Sequence, residues 1–276
     1  SSASTSSSEL SCPRPRIILE FWYPSDMDIL RELHSRKLFD VAFAPDLPFG
    51  TANADSLLAA WMARSSGIPA LAAVSLGGRS AAASVSRIAT AHLSGLDGVV
   101  LVAGDSRQCT DALGVLDALR LASSLPGTPE GDAAAKLPGM SAPLRAALRE
   151  RPCFVRGAAV DLGSERSVRL ARAKAEAGAN LFLSQLLPDP SAAVGALNAL
   201  SLLGVPVALG IPYAPTEEAR ARLSSLLGMS APSPADVLRS LEGVPRELRS
   251  PIYVSPIGGR RSGLADFLES LSSIVA

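Results

Sequence analysis

Residues 174–189 read KAEAGANLFLSQLLPD, and the order of residue types in that stretch decides the fold. A helix-forming segment runs into Gly178, the kind of residue that closes a helix because positive φ is cheap only without a Cβ. An apolar run, LFLSQL, follows at once and is too short for a helix. It lacks the clean alternation of a half-exposed strand, as expected of a parallel strand buried on both faces. The same phrase recurs in SSGIPALAA (65–73), LSGLDGVVLV (93–102) and LLGVPVALG (202–210), placing Gly67, Gly95 and Gly204 at equivalent helix ends.

Extended along the chain, the pattern gives eight apolar runs: 17–22, 40–44, 70–75, 98–104, 153–160, 180–186, 205–211 and 252–257. Helix-patterned stretches such as SERSVRLARAKAEAGA follow them. Eight βα units predict an α/β protein made of a single (β/α)8 TIM barrel over residues 15–276. A doubly wound open sheet obeys the same right-handed crossover rule and remains the alternative. The polar opening SSASTSSSEL lacks the apolar centre of a signal peptide, and residues 1–14 read as a disordered leader. Two Pro/Gly-rich stretches, 124–143 and 228–251, read as insertions in the barrel rhythm.

Hydrophobic residues make up 47% of the 276, enough for a large aliphatic core, and the formal net charge is zero. No global field therefore favours nucleic acid or an anionic membrane. No apolar run reaches the roughly 18 residues of a membrane span. Cys12, Cys109 and Cys153 are scattered and the histidines are only His34 and His92, so neither a metal site nor a disulfide scaffold is indicated. The expected setting is the cytoplasm. The helix surfaces leave room for a homo-oligomer or a partner subunit.

In this fold the chemistry sits at the C-terminal ends of the strands. That singles out Glu20, an acid inside the apolar IILEFW; Asp46 after the second strand; and Gly104 with Asp105 after the fourth. Asp161, Gln185 and Tyr213 follow or end the fifth, sixth and seventh. Each has a plainer reading: Gln185 could satisfy a backbone group, Asp105 could cap a helix, and Lys174 could complement a helix dipole. SLGGRS (75–80) could cradle a phosphate or be an ordinary βα turn.

LEFWYP (19–24), GIPALAAVSLGGRS (67–80), VAGD (102–105) and KAEAGANLFLSQLLPD together resemble the methylenetetrahydrofolate reductase family, flavoprotein (β/α)8 barrels, over about residues 17–260. The resemblance implies an oxidoreductase of one-carbon metabolism. It would reduce a 5,10-methylene-tetrahydropterin to the 5-methyl form with FAD, and NAD(P)H as a possible electron donor. It implies Glu20 as the acid, Asp105 between flavin and pterin, and Gln185 and Tyr213 on a reduced folate or related pterin. It implies Asp46, Ala103, Gly104, Val160 and Lys174 along the flavin. Three positions depart from the family's residues, Ala73, Ala103 and Val160, and all three fall on the flavin side. The alternative they leave is a non-redox pterin-binding barrel without FAD.

Overall fold

A computed structural model describes residues 14–22, 24–46, 53–104, 111–125, 127, 139–151, 153–257 and 262–276. Eight parallel strands close into a barrel in chain order. They are β1 (Ile17–Glu20), β2 (Val41–Ala44), β3 (Ala70–Ser75), β4 (Gly98–Val102), β5 (Val155–Val160), β6 (Leu181–Leu186), β7 (Val207–Tyr213) and β8 (Ile252–Pro256). The expected barrel is present, and β1 pairing with β8 excludes the open sheet. The expected leader lies outside the described residues.

Around the strands run α1 (Met27–Ser35), α2 (Ser56–Ser65), α3 (Ala81–Leu93), α4 (Val115–Ser124), α5 (Ala142–Ala147) and α6 (Glu165–Glu176). They continue with α7 (Val194–Ser201), α8 (Glu217–Leu227), α9 (Pro234–Glu242) and α10 (Leu264–Val275). Gly67, Gly95, Gly178 and Gly204 all have positive φ at the helix-to-strand returns, as the sequence phrase requires. Several helices begin with a side-chain cap: Asp55 for α2, Ser80 for α3, Ser164 for α6, Thr216 for α8 and a Ser233/Asp236 capping box for α9. Among the described residues no helix is long and apolar enough to cross a membrane. Cys153 is disulfide-bonded, a pairing that the scattered cysteines do not advertise.

Strand alternation splits the core in two. Ile18, Phe43, Leu71, Ala73, Val100, Leu181, Leu183, Ala208 and Tyr253 fill the barrel. Their chain neighbours, among them Leu19, Ala42, Ala72, Leu101, Phe182, Leu209 and Val254, pack outward against the helices. This parity decides which residues can reach the mouth. Register at the opposite end is pinned by a repeated device. The residues preceding β2, β4 and β6 are Asp40, Asp97 and Asn180. Each turns a side-chain oxygen onto a backbone N–H at the start of the preceding strand, at Ile17 (2.9 Å), Ala70 (2.9 Å) and Arg156 (2.7 Å), the first, first and second residues of their strands.

The insertion at 228–251 resolves into α9 and a short 3-10 turn, Arg246–Leu248. Ahead of it, α8 buries Ala219 and Leu223 against Ala214 and Ile257, with Leu186 at the edge of the same small cluster. These contacts put α8 across the ends of β6, β7 and β8, over one side of the mouth.

Candidate functional site

β1 ends on Glu20, which shares the parity of Ile18 and is 5% exposed. A carboxylate in that setting needs hydrogen-bond partners. Ser255, on the adjoining β8, donates its hydroxyl to Glu20 Oε1 at 2.8 Å, and the Trp22 indole N–H donates to the same oxygen. Oε1 thus accepts from two protein donors on either side of it. What the geometry offers is a rigidly held acceptor inside the barrel mouth.

β6 carries the second feature. Leu183 pairs with Ala208 but Leu186 pairs with Gly210, so β6 spends one residue more than β7 and bulges. Ser184 plugs the bulge: its Oγ accepts from Gly210 N at 2.8 Å and donates to Gln185 O at 2.7 Å. Gly210 is required here, because a Cβ would stand 2.6 Å from Gln185 O. Bulges of this kind re-aim a side chain. Gln185 emerges exposed at the open end, its amide seated on the loop after β5, where Oε1 accepts from Leu162 N at 2.9 Å.

On the other side of the mouth, Ser75 points inward from the end of β3 and is 6% exposed. Asp46 braces that corner. It accepts from Ser75 N (2.9 Å) and takes a forked pair of bonds from Arg79, at 2.8 and 3.1 Å, while Arg79 also donates to Ser75 O at 2.6 Å. SLGGRS is therefore a turn tied to a buried carboxylate, and Arg79 is already paired. Gly104 lies against the same corner at φ 76°, and a Cβ there would meet Ser75 Oγ at 2.3 Å. Ala103 and the inward-pointing Ala159 are exposed beside it.

Other singled-out residues stand elsewhere. Val160 is 2% exposed in the outer core, since parity gives the inward position to Ala159. Tyr213 likewise faces outward: its hydroxyl donates to Ser262 O, its ring packs on Phe267 at 4.9 Å, and burial pushes its pKa up. Lys174, in the last turn of α6, donates to Ala159 O at 2.6 Å, and desolvation lowers its pKa. Asp161 turns back on its own loop, accepting from Gly163 N at 3.0 Å. Asp105 lies outside the described residues. Sequence reasoning missed Ser255 and Trp22, although both share Glu20's inward parity, and it missed Ser184 and Gly210, whose roles depend on the bulge.

The chain matches no protein-family model and no curated protein. Solved structures do resemble it. An uncharacterized protein from Clostridium thermocellum that binds two copies of 5-methyl-5,6,7,8-tetrahydrofolic acid superposes with a TM-score of 0.60 at 12% identity, over 96% of this chain and 97% of that one. Oxaloacetate acetylhydrolase in complex with its product oxalate gives a TM-score of 0.56 at 15% identity, over 95% and 82%. A 2,3-dimethylmalate lyase of the PEP mutase/isocitrate lyase superfamily gives 0.53 at 15%, over 95% and 80%. These are a folate binder, a hydrolase and a lyase. They overturn the expectation of a methylenetetrahydrofolate reductase, and with it the oxidoreductase activity, the FAD and the NAD(P)H donor. The geometry agrees at two positions given to the flavin: Val160 is turned into the outer core and Lys174 is folded onto a backbone carbonyl. At these identities the likeness establishes a (β/α)8 barrel, and the family stays open.

Proposed function

We propose that the mouth of this barrel binds a reduced pterin of the folate class, without flavin redox chemistry. The observation that carries the reading is Glu20, a carboxylate held inside the barrel by Ser255 and Trp22. The aminopyrimidinone edge of a pterin presents adjacent N–H donors, and a fixed carboxylate is the complementary acceptor. Around it the ring needs an apolar slot with a few placed polar groups. Ala159, Val102 and Leu186 supply apolar wall, and Gln185 and Ser75 supply polar contacts. The barrel of similar shape that carries 5-methyltetrahydrofolate supports the same class of ligand. A small dicarboxylate such as oxalate suits this mouth less well. Among the described residues, Arg79 at this corner is already paired with Asp46 and does not stand open to a dianion.

The test is titration with 5-methyltetrahydrofolate, followed by calorimetry and by quenching of Trp22, with exposed Trp61 as internal reference. The wild-type protein is expected to bind and to quench. Glu20→Gln is expected to weaken binding about tenfold or more, from the loss of charge-assisted hydrogen bonds worth roughly 1.5–3 kcal/mol. Unchanged affinity in Glu20→Gln would remove the carboxylate from the site and the reading with it.

A further inference from the structure

We infer that the cavity between the loops after β6 and β7 seats the carboxylate-bearing tail of the folate on Arg220, an inference that rests on the pterin reading above. The cavity measures about 570 Å³, within the usual range for a ligand pocket. Arg220 lines it from near the start of α8. Its Nη1 donates to Pro215 O at 3.2 Å, and among the described residues no carboxylate pairs with the guanidinium. The two acids that share the lining are already engaged. Asp189 accepts from Ser191 and Ser240, while Asp236 accepts from Ser233 in the capping box of α9 and pairs with Arg239 at 2.7 Å. The half-buried Arg220 therefore keeps N–H donors free for a ligand.

The cavity adjoins the mouth. Pro188 in its wall is three residues past Gln185, at most about 11 Å along an extended chain. Leu187 N–H donates to Gly210 O at 2.7 Å, which pins that stretch to β7. Ala231, also in the wall, belongs to the small cluster that Leu186 edges, and Leu186 packs in turn on the barrel interior. A folate has the matching order of parts: a ring, an aryl spacer and a glutamate. Pro188, Ala231, Pro232 and Met229, which is 55% exposed, give the aryl group an apolar wall, and a thioether packs favourably against an aromatic ring. Beyond the spacer a carboxylate can take bonds from the donors that Arg220 keeps free. One half-exposed ion pair is worth little alone. Arg220 thus adds to a ligand already held by its ring and does not by itself recruit a small dicarboxylate.

Calorimetric titration of the full chain with 5-methyltetrahydrofolate and with 5,6-dimethyltetrahydropterin, the same ring without the tail, tests the inference. The wild type should prefer the tailed ligand by about fivefold or more, from the ion pair and the aryl contact together. Arg220→Gln should weaken the folate about three- to tenfold and leave the tailless ring unchanged, which also shows that the variant is folded. Arg220→Lys keeps the charge without the planar fork and should lose about threefold. Arg222→Gln removes an exposed charge from the same helix and should change neither ligand. Equal affinity of the wild type for both ligands, a wild-type ratio kept in Arg220→Gln, or the same loss in Arg222→Gln would overturn the inference while leaving the pterin reading intact. Binding of neither ligand by the wild type overturns the pterin reading itself, and the tail site with it.

Discussion

Replacing Gly210 by alanine should damage the protein out of proportion to the one methyl group added. The new Cβ would lie 2.6 Å from Gln185 O, 3.0 Å from Ser184 O and 3.1 Å from Gln185 C, where ordinary contact begins at 3.4 Å. Those are backbone atoms, so no rotamer change relieves the contact and β6 must move by most of an ångström. Overpacking of this kind costs about 1–3 kcal/mol, and losing the bond from Gly210 N to Ser184 Oγ adds about 1 kcal/mol. The expected loss is about 2–4 kcal/mol, a large share of the roughly 5–15 kcal/mol of a typical domain. Gly204→Ala is the control. Its φ is 68° and nothing lies within 4 Å of its Cβ, so only the left-handed backbone is penalised, by about 1–2 kcal/mol. Urea unfolding followed by circular dichroism reads both. Gly210→Ala should be the less stable and should also lose pterin affinity, because Gln185 moves with the bulge, while Gly204→Ala should bind as wild type does. A Gly210→Ala protein as stable as Gly204→Ala would refute the steric reasoning.

Two further outcomes follow from buried partners. Asp46→Ala strands the Arg79 guanidinium, whose side chain is 22% exposed beside a carboxylate 4% exposed. The expected cost in thermal or urea unfolding is about 2–3 kcal/mol, the low end for a broken buried pair because Arg79 keeps some water. His92 packs on Phe154 with Arg151 over the same ring, and burial, then the Arg151 charge, holds its pKa below the ordinary 6.5. The folded protein therefore resists a proton that the unfolded chain accepts. This contribution to stability is full above pH 6.5, falls as pH drops through that value, and levels off below the folded pKa. Melting temperatures measured from about pH 8 down to pH 5.5 should show a steeper decline for wild type than for His92→Phe, because His titrates in this range.

The barrel was legible because its determinants are local. Each strand is a short apolar run, four of the returns are glycines with positive φ, and all eight observed strands fall on or within two residues of those runs. The mouth was legible only in part. Glu20 stood out as a charge in an apolar run, and strand parity puts it inside. The same parity, counted on β5 and β7, turns Val160 and Tyr213 outward. Gln185 was visible as a polar residue, but the extra residue in β6 that sets its direction leaves no mark in the sequence apart from a serine and a glycine on different strands. The reductase resemblance drew on residues with structural work of their own in this chain. Gly178 closes α6, Lys174 satisfies a strand carbonyl, Gln185 satisfies the Leu162 N–H, and Gly104 lets β3 and β4 approach. Matching them reports shared architecture more than shared chemistry.

The most direct measurement is a side-by-side calorimetric titration of the wild-type chain with 5-methyltetrahydrofolate and with oxaloacetate. A mouth built on an anchored carboxylate and a fixed amide donor predicts saturable one-to-one binding of the reduced folate, lost in Glu20→Gln, and little heat from the dicarboxylate. Saturable binding of oxaloacetate with none of the folate would contradict it.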